Sequence, residues 1–120
     1  MKRLIIDLDG TLTLGEADSY EVAQPNKLII DRLREYRNNG FEIVISTARN
    51  MRTHEGNVGK INIHTLPKIL EWLDRHCVPY DEVIVGKPWC GFDGFYVDDK
   101  AIRPDEFCKY SYEEIMLIVK

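Results

Sequence analysis

The chain has no apolar run approaching ~20 residues, which excludes a membrane-spanning helix. Lys2-Arg3 ahead of Leu4-Ile5-Ile6 has the start of a secretory signal, but Asp7 and Asp9 break the run too early. Cysteine is scarce: Cys77, Cys90 and Cys108 are odd in number and lack motif spacing. That excludes a disulfide framework or a cysteine metal site, and fits reduced thiols in the cytoplasm. Positive charge is not in excess either. With 16 Lys and Arg against 20 Asp and Glu, a formal net charge of −4 argues against a nucleic-acid binder. Internal repeats, low-complexity tracts and linkers are missing too. The expectation is one domain over residues 1–120, large enough for its own core.

What is present is concentrated at Leu4-Ile5-Ile6-Asp7-Leu8-Asp9-Gly10-Thr11-Leu12. An apolar strand spanning Lys2–Leu8 runs into two aspartates. Continued in register, it would place Asp7 and Asp9 on the face of Ile5, inside the core. Two unpaired buried carboxylates are too costly, so the strand ends near Asp7 and Gly10 turns the chain away. Gly10–Gln24, with Gly15, Glu16, Asp18 and Ser19, is a polar connection able to form a small flap.

Pro25 opens a helix carrying Ile29, Ile30, Leu33 and Tyr36 at helical spacing, stopped at Gly40. Phe41–Ser46 is a second strand whose continuous apolar run suits a strand covered on both faces. Residues 47–64 read as irregular. A stripe of Leu66, Ile69, Leu70, Leu73 and Cys77 predicts a helix, with Thr65 as cap and Pro67 in the first turn. Val83–Val85 is a third strand closed by Gly86-Lys87-Pro88, and Gly94–Val97 a fourth closed by Asp98-Asp99. Ser111 and Glu114 form a capping-box pattern for a last helix bearing Ile115, Leu117 and Ile118. Alternating strands and helices predict an α/β, Rossmann-like, doubly wound and mostly parallel sheet.

In such a sheet, Asp7, Asp9, Ser46, Thr47, Lys87, Asp98 and Asp99 all follow strand ends and gather on one edge. Clustered carboxylates need a cation, and oxygen-only ligands favour magnesium over zinc. A lysine and a hydroxyl beside them suit a phosphate. One aspartate can attack phosphorus while the other handles the leaving-group proton. Each piece alone is commonplace. A calcium loop is a poor fit, because Gly10 stands fourth and a strand precedes the acids.

Taken in order, Asp7-Leu8-Asp9-Gly10-Thr11, Ser46-Thr47-Ala48-Arg49, Gly86-Lys87-Pro88 and Val97-Asp98-Asp99 resemble the four motifs of the haloacid dehalogenase superfamily. The resemblance covers residues 4–99 and implies a sheet with the first strand central and the fourth beside it. It implies Asp7 as nucleophile, Asp9 as general acid/base, and Thr47 (or, in the alternative register, Ser46) and Lys87 as phosphate ligands. Magnesium would be held by Asp7, the Asp9 main-chain carbonyl and Asp98, with Asp99 in support. An acid at position 9 is what the superfamily's phosphatases have. The run from Gly86 to Gly91 and that from Asp98 to Pro104 resemble small bacterial capsule-biosynthesis phosphatases, implying a phosphosugar substrate. Neither residues 10–24 nor 50–64 are long enough for a cap domain.

The rival reading is a phospho-accepting receiver module, which shares these ingredients but carries its acidic pair first rather than last. Arg49, Asn50, Arg52, His54, Asn57 and Lys60 form a loop on the active edge, either solvated or reading the substrate, with Trp89 and Cys90 near the entrance. The missing lid predicts a homo-oligomer, dimer or tetramer, in which a neighbouring subunit covers the site. A nucleotide or phosphorylated macromolecule is the alternative substrate.

Overall fold

The computed structural model describes residues 2–15 and 17–120, so Glu16 of the flap lies outside the described residues. The chain forms two compact units, Met1–Trp89 and Cys90–Lys120.

The first unit is built on a parallel sheet in the order β1-β2-β3, with β1 at Arg3–Ile6, β2 at Glu42–Thr47 and β3 at Glu82–Val85. Register runs from Arg3 opposite Glu42 to Ile6 opposite Ile45, and from Val44 opposite Glu82 to Thr47 opposite Val85. Ile43, Val44 and Ile45 are fully buried, as a strand covered on both faces requires. Each such side chain contributes about 1.5–3 kcal/mol by leaving water. β1 stops before Asp7, shorter than the expected Lys2–Leu8, because the chain turns as soon as the acids begin.

Helix α1 (Lys27–Asn38) buries Ile29, Ile30, Leu33 and Tyr36, one stripe at helical spacing. Tyr36 meets Phe41 edge-on at 4.9 Å between ring centroids. Helix α2 (Val58–His64) was not expected, since Gly59 and the surrounding polar residues obscure it. Asn57 caps it by accepting from the Lys60 N–H at 3.0 Å, and fully buried Ile61 anchors it. Helix α3 (Leu66–Arg75) follows at once and buries Ile69, Trp72 and Leu73. Thr65 stands at its N-cap position, but its hydroxyl accepts from Asn50 rather than from the helix.

In the second unit, helix α4 (Pro104–Lys109) begins at a proline followed by Asp105 and Glu106, a start signal passed over in the sequence. Helix α5 (Tyr112–Ile118) has the expected cap: Ser111 accepts from the Glu114 N–H, and Glu114 accepts from the Ser111 N–H. That second bond holds the Glu114 carboxyl below its ordinary range. Leu117 and Ile118 are exposed, and burial falls to Phe107 and Val119.

The expected fourth strand is corrected. Among the described residues Gly94–Val97 is not a strand, and Phe95 and Val97 are 79% and 87% exposed. An apolar run supplies side chains for a strand, but only a paired ladder makes one.

Candidate active site

The C-terminal ends of the three strands build the site. Past Ile6, the Leu8 carbonyl accepts from the N–H groups of Thr11, Leu12 and Thr13 at 3.2, 2.9 and 3.1 Å. Gly10, at φ +80°, makes that tight turn, and its N–H donates to the Thr13 hydroxyl at 3.0 Å. Leu8 and Leu12 are fully buried, so the turn is pinned from below while Asp7 and Asp9 stay half-buried at the edge.

At the end of β2, Thr47 is buried and Ser46, on the opposite face, is half-buried. The Thr47 hydroxyl accepts from the Arg49 N–H at 3.0 Å, and its carbonyl accepts from the Lys87 N–H at 3.1 Å. Two strand ends are thereby tied together. Gly86 sits at φ +88°, and a Cβ there would lie 2.9 Å from a Val58 methyl, so glycine aims Lys87. The Lys87 Nζ reaches Asp7 Oδ1 at 3.4 Å, and the Thr11 hydroxyl donates to Asp7 Oδ2 at 3.2 Å.

Asp9 faces a different set. The Tyr20 hydroxyl donates to its two oxygens at 3.1 and 3.0 Å, and Arg49 approaches Oδ1 at 3.4 Å. Burial raises the Asp9 carboxyl above its ordinary value; Arg49 and Tyr20 oppose that rise, and Asp7 adds to it. Burial and the neighbouring Asp9 also hold the Tyr20 hydroxyl firmly protonated. One aspartate beside a lysine and another biased towards its acid form are the division of labour expected of a nucleophile and a proton donor.

The other expected residues are placed as follows. Asn50, at φ +61°, gives its side-chain N–H to Thr65 at 2.7 Å, a structural task. His54 stacks on His64 with centroids 5.6 Å apart, and the Arg52 guanidinium lies 6.0 Å from the Trp89 ring centroid. Arg49 is engaged with Asp9 and the flap rather than with solvent. Asp98 and Asp99 belong to the second unit, where the Asp98 carboxylate accepts from the Lys100 N–H at 2.8 Å. Tyr20 was missed by sequence reasoning. An aromatic in an otherwise polar connection near two acids was the available signal.

For a divalent cation, the Asp7 carboxylate at the strand end is an oxygen donor, a chemistry suited to magnesium. Among the described residues, no three His, Cys, Asp or Glu side chains come together as a ready-made metal cluster.

A family model described as haloacid dehalogenase-like hydrolase matches residues 4–70. The chain belongs to the haloacid dehalogenase-like hydrolases. It is also similar to a protein of known crystal structure from Vibrio cholerae, at 65% identity and a TM-score of 0.97, over 99% of this chain and 97% of that one. Among curated proteins nothing matches. Membership of the haloacid dehalogenase-like hydrolases accounts for the mixed α/β fold with a parallel sheet; among the described residues no separate cap domain is inserted. It also favours a hydrolase over a phospho-accepting receiver.

Proposed function

We propose that this hydrolase is a magnesium-dependent phosphomonoesterase acting through an aspartyl-phosphate on Asp7. The observation that carries the reading is the pairing of Asp7, past the end of β1, with Lys87, past the end of β3, while Asp9 is held apart by Tyr20 and Arg49. In the first half-reaction an Asp7 oxygen bonds to phosphorus as the ester P–O bond breaks, and Asp9 gives its proton to the departing oxygen. In the second, water attacks phosphorus and gives a proton to Asp9, and the Asp7–phosphate bond breaks to release phosphate. Lys87 and the Thr47 hydroxyl would neutralise and orient the phosphoryl oxygens. By the motif resemblance, Asp7, the Asp9 main-chain carbonyl and Asp98 would hold a magnesium ion, which when bound would supply further positive charge to those oxygens.

The substrate class proposed is a small phosphosugar of capsule or other polysaccharide synthesis, in line with the Gly86–Gly91 and Asp98–Pro104 runs. A cytoplasmic setting fits three free cysteines; among the described residues no helix is long and apolar enough to cross a membrane. A homo-oligomer is proposed as well, because among the described residues no inserted cap domain shields the site. The exposed Leu14, Val22 and Leu28 on and beside the flap suit a subunit contact. Light scattering tests this directly, and a fully active monomer refutes it.

Phosphate release from phosphosugars, nucleotides and phosphopeptides, with magnesium and with EDTA, tests the reading as a whole. Turnover of phosphosugars that EDTA abolishes and magnesium restores is expected. Turnover indifferent to both, or none on any ester, overturns it.

A further inference from the structure

The flap is a closed loop. Thr13 and Pro25 form an antiparallel bridge, Leu14 N–H donates to the Gln24 carbonyl at 2.8 Å, and Asn26 N–H donates to the Leu12 carbonyl at 2.7 Å. Its far side is held by two arginines from other elements. Arg49 gives Nη2–H to the Asp18 carbonyl at 2.9 Å, with both terminal nitrogens 3.4 Å from the Ala17 carbonyl. Arg75 gives Nη2–H to the Tyr20 carbonyl at 2.6 Å. The Tyr20 ring is buried between Trp72, 6.2 Å away, and the Arg49 guanidinium, 5.0 Å from its centroid. So fixed, its hydroxyl has one place to go, the Asp9 carboxyl.

Resting on the phosphatase reading, we propose that Tyr20 and Arg49 are positioning residues for Asp9, with Arg49 latching the flap that carries Tyr20. A short carboxylic acid at a half-exposed edge turns freely, and proton transfer demands that it point one way. Tyr20 spans both oxygens, whereas Arg49 approaches Oδ1 alone, so the proton of the acid form belongs on Oδ2. Arg49 can make these contacts together because its planar fork serves a carboxylate, two carbonyls and a ring face at once; lysine cannot.

The test compares two esters alike in size, phenyl phosphate and p-nitrophenyl phosphate. Phenoxide needs a proton as it leaves far more than nitrophenoxide does. The quantity read is kcat/KM, which ends at aspartyl-phosphate formation and release of the phenol. Tyr20→Phe, which keeps the ring packing, is expected to cut kcat/KM for phenyl phosphate by about tenfold or more. For p-nitrophenyl phosphate it should fall less than about threefold, and KM should barely move for either. Arg49→Lys is expected to show the same selectivity and to speed amide exchange over residues 17–24, which Tyr20→Phe leaves unchanged. Equal losses on both esters, or none, overturn positioning, since a purely structural defect ignores the leaving group. Unchanged flap exchange in Arg49→Lys overturns the latch, a readout that stands without any turnover. Wild-type protein inert towards both esters sinks the phosphatase reading instead.

Discussion

Replacing Trp72 by phenylalanine probes the joint between helix α3 and the base of the flap. Trp72 is fully buried, and its indole N–H donates to the Ala23 carbonyl at 3.0 Å. Ala23 is itself only 4% exposed, so water cannot take over the lost bond. Leaving that carbonyl unsatisfied costs about 1–3 kcal/mol. The smaller ring leaves a void beside Tyr20 and His76, costing about 1–2 kcal/mol more if the neighbours relax only in part. A loss of about 3 kcal/mol follows. At roughly 4 °C per kcal/mol for a chain of this size, Tm falls by about 12 °C. Thermal and urea unfolding followed by circular dichroism measure it, with exposed Ile63→Ala as a control expected to shift stability by less than about 0.5 kcal/mol. A Trp72→Phe protein within about 3 °C of wild type would refute the claim that this bond and this volume hold the flap's base.

Further expectations concern single groups. Gly86→Ala combines a strained φ with a clash against Val58, so it should lower stability by about 1–2 kcal/mol and weaken phosphate binding by moving Lys87; unchanged KM and Tm would contradict this. The raised Asp9 carboxyl makes a definite pH signature in metal-free protein. The folded state holds this proton more tightly than the unfolded chain, so the stability the group contributes is present below its ordinary value of 3.8 and lost as pH rises through the raised value. Asp9→Asn removes the titration, and its stability relative to wild type should therefore climb across that window; a difference flat with pH would contradict it. Asp98→Asn should raise the magnesium concentration needed for half-maximal activity with little change in Tm, which a magnesium titration checks.

Much of the first unit was legible because its signals are local and repeated. Ile43-Val44-Ile45 can only be a strand covered on both faces, and Ile29, Ile30, Leu33 and Tyr36 can only be one helical stripe. The acids at positions 7 and 9 announced a strand end, since burying them was the only alternative. Helix α2 was hidden because its stability comes from one buried residue, Ile61, and an asparagine cap rather than from propensity. Gly94–Val97 was over-read for the converse reason: strand-like side chains say nothing of a partner. The Tyr20–Asp9–Arg49 cluster joins residues 11, 29 and 40 positions apart in sequence, and no spacing rule reaches across a flap.

The central claim is that Asp7 takes the phosphoryl group. Acid-quenching the protein during turnover of p-nitrophenyl phosphate with magnesium, then mass-mapping its peptides, tests it most directly. The account predicts one phosphate on the peptide holding Asp7, lost on treatment with hydroxylamine and missing in Asp7→Asn, whose turnover drops by several orders of magnitude. Sustained turnover by Asp7→Asn, or phosphate carried on a different residue, would contradict it.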